Sequence, residues 1–511
     1  MSAAAGGAAA SASATPETSR GLVMVAAVLG TGMVALDMTI GAVALPHIRG
    51  TFSATKDQIG WVLTSYIVAT AVMIPASGWL ANRFGRKEVY IAALLGFTGA
   101  SVLCGLAQTL PQEVAFRVLQ GMCGAPLVPL AQTMILDAYP TDKHGHAISI
   151  WGFGVVLGPI LGPTLGGYLT ENLGWPWIFY INVPIGAVAI TAAVVGLGRR
   201  AARPRAKLDL PGFLLLAVGI AAVQTMLDRG ERQDWFESPE ITVYAVVAGL
   251  AGYLLAVHTF TARESFINKE MFKDRNFTVG VILIFAFGFI LLPPFALLPP
   301  FLQDLRGYQV SEAGLILSPR SIGVMAGMTL SGRLLARLEP RLIMVTGLLL
   351  TGWAGWDMAG WTADVGTEAI IWNGVVQGFG MGLVYSPLFT LTFVTLKPEL
   401  RGEATGIFQL LRNVGSSVAV AVFLTLLVRN TTVNRANLVN SVTDYNEALQ
   451  SGYLSALWNL NTLEGLAALD AAVTRQAELI AYSNDFYLLC FVTLGMIPLA
   501  LFLKRPPAPD G

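Results

Sequence analysis

The stretch Gly152-Phe-Gly-Val-Val-Leu-Gly-Pro-Ile-Leu-Gly-Pro-Thr-Leu-Gly-Gly-Tyr-Leu169 is apolar enough to lie in a membrane, and glycine recurs in it at every fourth position. From residue 154 onward, its glycines and prolines are Gly154, Gly158, Pro159, Gly162, Pro163, Gly166 and Gly167. The glycines leave a bare strip on one helix face, so a neighbouring backbone can approach closely. Proline removes backbone hydrogen bonds and favours a bend where packed protein satisfies the freed groups. The run predicts a close-packed, bendable membrane helix, although a kinked structural helix has the same pattern.

The composition around this run is that of a membrane protein. The chain has 511 residues, of which 54% are apolar and 13% charged, with a mean hydropathy of +0.62. Soluble domains carry about 25% charged residues, so most of this chain must face lipid or other apolar helices. The net charge of zero argues against a nucleic-acid partner. The three cysteines lie in apolar spans without metal-ligand spacing, and no disulfide framework is readable.

Fourteen stretches are long enough to cross the hydrocarbon core, which takes about 20 apolar residues. They lie near 22–46, 58–80, 88–108, 111–136, 146–169, 177–198, 210–228, 239–260, 276–301, 311–332, 342–361, 368–393, 403–428 and 483–503. With both termini in the cytoplasm, 21 of the 32 Lys and Arg residues fall in inside segments and eight in outside ones. This inside excess of cations favours an even number of spans.

The two halves of the chain are copies of each other. Residues 59–63 match 313–317 at an offset of 254, and the segment 78–87 matches 332–341 at the same offset. Gln120 and Gly121 match Gln377 and Gly378 at an offset of 257. The repeat pairs spans 1–6 with spans 9–14 and leaves spans 7 and 8 unmatched. Two such bundles, related by an axis along the membrane normal, are typical of transporters that bind their substrate between the halves.

These features predict four regions and one insert. Residues 1–20 form an Ala/Ser/Gly-rich tail without an apolar core, which predicts a disordered leader rather than a signal peptide. Residues 21–200 form an N-terminal six-helix bundle, 201–265 two linker helices, and 266–511 a C-terminal six-helix bundle. The outside insert 429–481 contains an amphipathic helix over 463–480, which packs on the outer surface of the protein itself or docks a partner.

Motifs along nearly the whole chain resemble those of the fourteen-helix drug:proton antiporter family of the major facilitator superfamily. They are Leu36–Pro46 in span 1, Gly78–Lys87 between spans 2 and 3, Arg117–Gly124 in span 4, the glycine-rich run of span 5 and Trp177–Gly186 at span 6. Two residues depart from the family pattern: Asn82 replaces the usual Asp, and Pro176 the usual Arg. Asn82 removes the negative charge of the usual conformational latch.

The resemblance implies an all-α integral membrane protein of the major facilitator fold, with two pseudo-symmetric six-helix bundles and two extra central helices. It implies a multi-pass protein of the bacterial inner membrane that exports hydrophobic or amphiphilic drugs in exchange for protons by alternating access. The insert is similar to that of inner-membrane pumps in tripartite multidrug efflux systems, where a periplasmic adaptor links the pump to an outer-membrane channel. No cofactor or metal is implied.

Asp37 is the candidate proton carrier. A carboxylate deep in a span costs roughly 2.5–3.5 kcal/mol on insertion scales and is a functional candidate by default. Asp37 lies about 14 Å below the outer edge of span 1, and Arg117 about 9 Å below the same edge in span 4, at 1.5 Å per residue. We therefore expect Arg117 to tune Asp37, so that substrate entry disturbs the pair and triggers proton exchange. The alternative is a constitutive ion pair that locks the two helices.

Two further sets of residues are candidates. Aromatic, amide and cationic groups on helices expected to face the cleft are predicted to line the substrate cavity: Trp61, Tyr66, Gln120, Trp151, Phe285, Phe289, Gln377, Tyr385, Phe408, Gln409 and Arg412. Each of these alone is also typical of ordinary packing. Predicted to act in conformational change, besides the residues of the span 5 run, are Gly78, Asn82, Arg83, Gly85, Arg86 and Gly121.

Other functions fit the sequence less well. A dedicated exporter of one endogenous metabolite, such as a siderophore, peptide or lipid, has the same motifs, because the motifs do not determine how many kinds of compound the cavity accepts. A membrane-embedded enzyme would need clustered His, Asp or Cys, and the four histidines form no such cluster. None of the eight lysines follows a glycine, so there is no phosphate-binding G-K-[ST] loop. An ion gradient must supply the energy.

Overall fold

The computed structural model describes residues 19–140, 143–198, 209–262, 265–397, 399–440, 442, 458 and 462–504. Most of the tail predicted to be disordered, residues 1–18, lies outside them. The α-helices, named here in chain order, are α1 Arg20–Thr51, α2 Lys56–Met73, α3 Ala76–Phe84, α4 Arg86–Gly105, α5 Leu110–Gly124, α6 Leu127–Ala138, α7 His144–Asn172, α8 Trp177–Tyr180, α9 Asn182–Gly196, α10 Leu210–Arg229, α11 Pro239–Thr261, α12 Arg275–Leu291, α13 Pro293–Pro300, α14 Val310–Leu317, α15 Pro319–Leu334, α16 Pro340–Ala359, α17 Thr367–Val394, α18 Arg401–Val439 and α19 Leu463–Leu501.

These helices supply the fourteen predicted spans. Twelve helical units of the described residues are long and apolar enough to cross a membrane. The pair α2–α3 is a thirteenth, bent by 56° where Pro75 interrupts the predicted span 58–80. Helix α7, with 29 residues, forms span 5. The protein is therefore an all-α integral membrane protein with fourteen spans.

Helix α7 packs backbone against backbone on α1, along its glycine strip. A Cβ at Gly154 or Gly158 would collide with the carbonyl groups of Val28 and Ala35 on α1. Thr39 on α1 also donates a hydrogen bond of 2.9 Å to the carbonyl oxygen of Gly158. Gly162 abuts the Thr39 side chain in the same way, and Gly166 approaches Ile40, whereas a Cβ at Gly167 would meet nothing within 4 Å. The glycine strip thus fixes the helix that carries Asp37, and α7 continues as one helix through Pro159 and Pro163.

The first of the two extra helices, α10, bridges the halves on one side of the molecule. Near the C-terminal end of α10, Thr64 of α2 donates a hydrogen bond to Asp228. On the other side of α10, Gln224 donates to Ser417 of α18 at 2.7 Å. The loop after α10 adds a hydrogen bond of 2.9 Å from Trp235 to Thr425. Helix α10 and the loop after it therefore contact one helix of each half, whereas α11 packs on α10. The boundaries 21–200, 201–265 and 266–511 stay predictions.

The ends of the insert 429–481 are helical extensions of two spans. Helix α18 continues to Val439, and the predicted amphipathic helix 463–480 is the first part of α19, continuous with span 14. Arg435 joins the extensions through Asp470 at 2.5 Å and Thr474 at 3.2 Å. Periodicity predicted a helix only in the second part of the insert, but 429–439 is helical as well, since this stretch lacks Pro and Gly and packs on its partner helix. Residues 441, 443–457 and 459–461 of the insert lie outside the described residues.

Candidate functional site

Asp37 lies in the core of the N-terminal half, held by donors from two other helices. Its side chain is almost fully buried, with 3% of the residue exposed. Arg117 Nη1 of α5 lies 2.6 Å from Asp37 Oδ2. Gln120 Nε2, also on α5, donates to Oδ1 at 2.7 Å, and Asn182 of α9 donates to the same oxygen at 3.3 Å. The charge is therefore paired and hydrogen-bonded, as a buried carboxylate requires.

A second layer of contacts fixes these donors. Ser101 Oγ of α4 accepts hydrogen bonds from Gln120 at 2.8 Å and from Asn182 at 3.2 Å. Arg117 Nε donates to the carbonyl oxygen of Val62 at 3.2 Å, and its guanidinium lies 4.3 Å from the centre of the Tyr66 ring. Arg117 and Gln120 stand three residues apart, so they share one face of α5. The N-terminal network is defined as Asp37, Tyr66, Ser101, Arg117, Gln120 and Asn182.

The geometry of this network suits a proton-exchange site. Both carboxylate oxygens of Asp37 accept hydrogen bonds, which is the arrangement of the ionised acid. Protonation would cancel the charge that pairs with Arg117 and convert one acceptor into a donor. A proton on Asp37 would therefore weaken the side-chain link between α1 and α5. Nothing in this arrangement faces lipid.

Sequence reasoning missed two other buried acids. Glu113 of α5 is wholly buried one helical turn before Arg117, and neither carboxylate oxygen has a hydrogen-bond partner among the described residues. Asp485 of α19 is also buried, and neither of its carboxylate oxygens has a hydrogen-bond partner among the described residues. Their position inside predicted spans was the available signal, since an intramembrane carboxylate is costly. Ser101 gave no signal, because small polar residues occur throughout membrane helices.

Hydrogen bonds between the two halves cluster at the membrane side predicted to be cytoplasmic. Gln132 of α6 donates to Tyr385 at 3.0 Å and accepts from Gln409 at 2.7 Å. Trp151 stacks on Tyr385 with ring centres 6.3 Å apart. Two hydroxyl pairs complete the set, Thr133–Thr405 at 2.9 Å and Ser149–Ser386 at 3.0 Å. The structure therefore represents a conformation closed on that side, called here the inner side.

The segment Gly78–Lys87 takes part in this closure. A Cβ at Gly78 would come within 2.8 Å of the backbone of Gly402 and Glu403 on α18, so only glycine permits this approach. Asn82 then donates to Glu403 at 3.4 Å, which keeps a contact between the halves without a charge on residue 82.

The rest of the predicted loop motif lies within the N-terminal half. Gly85 turns the chain with a φ of 98°, a conformation that favours glycine. Arg86 pairs with Asp137, while Arg83 is half-buried. A Cβ at Gly121 would lie 2.6 Å from the carbonyl oxygen of Tyr66, so glycine at this position lets α5 approach α2 closely.

Comparison with known proteins gives this architecture a family. The model of the Major Facilitator Superfamily matches residues 27–420. Multidrug export protein EmrB of Escherichia coli K12 is 33% identical over 495 residues, covering 96% of each chain. Fatty acid resistance protein FarB of Neisseria gonorrhoeae is 34% identical, covering 94% of this chain and 96% of that protein.

The chain belongs to the Major Facilitator Superfamily. It is a transporter rather than an enzyme. A solved structure of the same superfamily, the proton:xylose symporter XylE, is similar in fold with a TM-score of 0.60 at 14% identity, covering 94% of this chain and 97% of XylE.

The remaining predicted cavity residues of this transporter lie in several places. Trp61 lies 5.1 Å beneath the guanidinium of Arg229, against a linker helix. Phe285 and Phe289 pack together on α12 with ring centres 5.8 Å apart. Phe408 is wholly buried among phenylalanines of α17, and Gln377 is wholly buried without a hydrogen-bond partner among the described residues. Arg412 contacts Asn413 at 3.4 Å. The predicted set is thus spread over both halves and their interface.

A cavity of about 530 Å³ lies at the inner side between the two halves and the first linker helix. Trp79, Asn82, Phe266 and Glu403 are among its lining residues. Asp209 also lines it and accepts hydrogen bonds from the backbone of Gly212 and Phe266 and from His258. Burial raises the pKa of Asp209, but these hydrogen bonds outweigh it and hold that pKa below its usual range. The volume of this cavity is within the range of small-molecule binding sites in general.

Proposed function

We propose that this transporter exports hydrophobic and amphiphilic compounds, drugs included, from the cytoplasm across the bacterial inner membrane in exchange for protons. The observation that carries the proposal is the buried ion pair of Asp37 and Arg117, at 2.6 Å, in a chain built as two repeated bundles. Its similarity to the multidrug export protein EmrB, which extends over 96% of both chains, supports export of many compounds.

The N-terminal network suggests how protons and cargo exchange. In the inner-closed conformation Asp37 accepts hydrogen bonds from Arg117, Gln120 and Asn182 and so links α1 to α5 and α9. A proton from the outside neutralises Asp37 and releases this grip, which favours the rearrangement that breaks the inner contacts. Cargo entering from the inside then displaces the proton. Binding of the two is mutually exclusive in this scheme, which is what couples them.

Transport in proteoliposomes tests the proposal. Under an imposed pH gradient, a panel of lipophilic cations and neutral compounds is offered to the wild type and to Asp37→Asn. Glu270→Gln is the control, because Glu270 is an exposed carboxylate that pairs with Lys397 at 2.7 Å. We expect gradient-driven transport of many compounds by the wild type and the control and of none by Asp37→Asn. Transport by Asp37→Asn against a gradient, with an unchanged pH dependence, would remove Asp37 from the mechanism.

The same panel separates broad efflux from a dedicated exporter. Stimulation by many unrelated compounds supports the proposal, whereas stimulation by a single metabolite class supports a dedicated exporter of a siderophore, peptide or lipid. The aromatic and amide residues of the two halves favour the broad cavity, because apolar walls with few fixed charges accept varied ligands.

For the helical hairpin of residues 429–439 and 463–481, we propose docking of a periplasmic adaptor that leads to an outer-membrane channel. Apolar side chains on it are open to contact, since Val433 is 51% and Leu466 is 47% exposed. Deleting residues 436–468 should abolish efflux from cells while transport in vesicles persists. Loss of both would favour packing of the hairpin on the transporter itself.

A further inference from the structure

Arg320 is a buried cation that meets no carboxylate among the described residues. It lies at the start of α15, with 3% of the residue exposed. Among the described residues, the one acceptor that its guanidinium reaches is the sulfur of Met381, 3.3 Å from Nη2. Its Nε has no partner, and the Phe295 ring covers the guanidinium at 4.7 Å. A buried charge of this kind is costly unless an anion meets it.

The internal repeat explains where this cation stands. An offset of 254 pairs Arg320 with Tyr66, and an offset of 257 pairs Gly378 with Gly121. The coordinates support this pairing, because Gly121 abuts the carbonyl oxygen of Tyr66 and Gly378 abuts that of Arg320. The Arg320 side chain therefore occupies the place in the C-terminal half that the Tyr66 ring, which covers Arg117, occupies in the N-terminal half.

The neighbouring positions show what the C-terminal half lacks. Gly374 stands where Arg117 does in the other half, and the Cβ position of Gly374 is 3.5 Å from Arg320 Cβ. Gln377 matches Gln120 but is wholly buried with both amide atoms unpartnered among the described residues. Span 9, which matches the span of Asp37, has no acidic residue between 275 and 303. The C-terminal half thus buries a cation and an amide, and span 9 supplies no acid of the kind that bonds Arg117 and Gln120 in the N-terminal half.

We infer that Arg320 and Gln377 form a binding site for the carboxylate of an amphiphilic monocarboxylate cargo. The carboxylate would take the donors of the guanidinium, which matches it in shape and charge, and the amide N–H of Gln377. Phe295, with 37% of its surface exposed, would lie beside the alkyl chain. This inference rests on the proposed export function and names a cargo class for it.

Thermal unfolding in a neutral detergent tests binding without transport. Decanoate below its micellar concentration is compared with decanol, which has the same chain and no charge. We expect decanoate, and not decanol, to raise the midpoint of the wild type. Arg320→Gln should weaken the apparent affinity for decanoate at least tenfold, and Arg320→Lys should fall between the two. Arg333→Gln, which removes an exposed cation from the same helix, should respond as the wild type does.

Each other outcome overturns the assignment. An equal decanoate response in Arg320→Gln, or none in the wild type, removes the carboxylate site. A response to phosphatidylglycerol but not to decanoate would assign the cation to a lipid headgroup. If Arg320→Gln does not fold, Gln377→Leu replaces it in the same comparison, and an unchanged decanoate affinity then counts against the site.

Transport separates failure of this inference from failure of the proposed function. In proteoliposomes, Arg320→Gln should retain gradient-driven export of a lipophilic cation and lose that of decanoate. If the wild type exports the cation but decanoate export is unaffected by the variant, the carboxylate site fails and the antiport proposal stands. If the wild type exports nothing under a pH gradient, the antiport proposal itself fails.

Discussion

Each half of this transporter buries an arginine and a glutamine, but only in the N-terminal half does an acid among the described residues bond them. In the N-terminal half, Arg117 and Gln120 both bond Asp37. In the C-terminal half, Arg320 and Gln377 have no acid among the described residues to bond. The difference indicates a division of labour. The N-terminal half supplies the acid that pairs with its cation, and we propose that the carboxylate of a cargo molecule takes this role in the C-terminal half.

The largest expected effect comes from removing one arginine in each half. Arg117→Leu leaves Asp37 buried without its cation and should lower stability by about 3–5 kcal/mol. Arg320→Leu removes an unpaired charge from an apolar site and should leave stability equal or higher. Unfolding of the two purified variants in the same detergent measures both. Equal losses would mean that Arg320 has a partner after all and that the comparison is mistaken.

A double variant sharpens the picture of the N-terminal network. Asp37→Asn and Arg117→Gln should each destabilise the protein, and the double variant should lose less than the sum, because neither charge is then left alone. The coupling is expected between about 1 and 3 kcal/mol, in the range for contacting residues. Strict additivity, measured by the same unfolding assay, would deny that the pair acts as a unit.

The glycine strip offers a matched pair on one helix. Gly158→Ala would push a methyl group into the backbone of α1 near Asp37 and should cost about 1–3 kcal/mol, with reduced transport. Gly167→Ala meets nothing within 4 Å and should be neutral or slightly stabilising. Thermal unfolding and transport of both variants provide the readout. Identical behaviour would show that close packing of α7 on α1 is not needed.

The smallest effect is expected at the inner interface. Gln132→Leu removes the hydrogen bonds to Tyr385 and Gln409, worth about 1 kcal/mol each at most in net terms. The population should shift toward inner-open states, seen as faster labelling of a cysteine placed at Ser149. Unchanged labelling would mean that these bonds do not hold the inner side closed.

The sequence alone predicted the membrane class, the fourteen spans and the approach of α7 to a neighbour. Apolar length and glycine spacing set these features locally. It also paired Asp37 with Arg117, since depth along two spans is simple arithmetic. It could not supply Ser101 or Gln132, because their value depends on which helices meet. The isolation of Arg320 was equally hidden, because a missing partner is visible only in three dimensions.

In the helical hairpin of residues 429–439 and 463–481, one helix could be predicted from the sequence and the other could not. Periodicity found the amphipathic stretch 463–480, but it did not predict that 429–439 is helical as well. The stretch 429–439 is too polar to stand out as a membrane helix. Contacts such as the one between Arg435 and Asp470 link it to the helix that begins at Leu463. Pairing across the insert, rather than local pattern, explains this part of the fold.

Proton release on cargo binding tests the central claim most directly. A lipophilic cation is added to purified protein in detergent and weak buffer, in one series that starts above neutral pH and in another that starts at acidic pH. A pH-sensitive dye reports the protons that are released. We predict proton release from the wild type at the acidic starting pH and none from Asp37→Asn. Equal release from Asp37→Asn would contradict it, since cargo would then displace a proton held elsewhere.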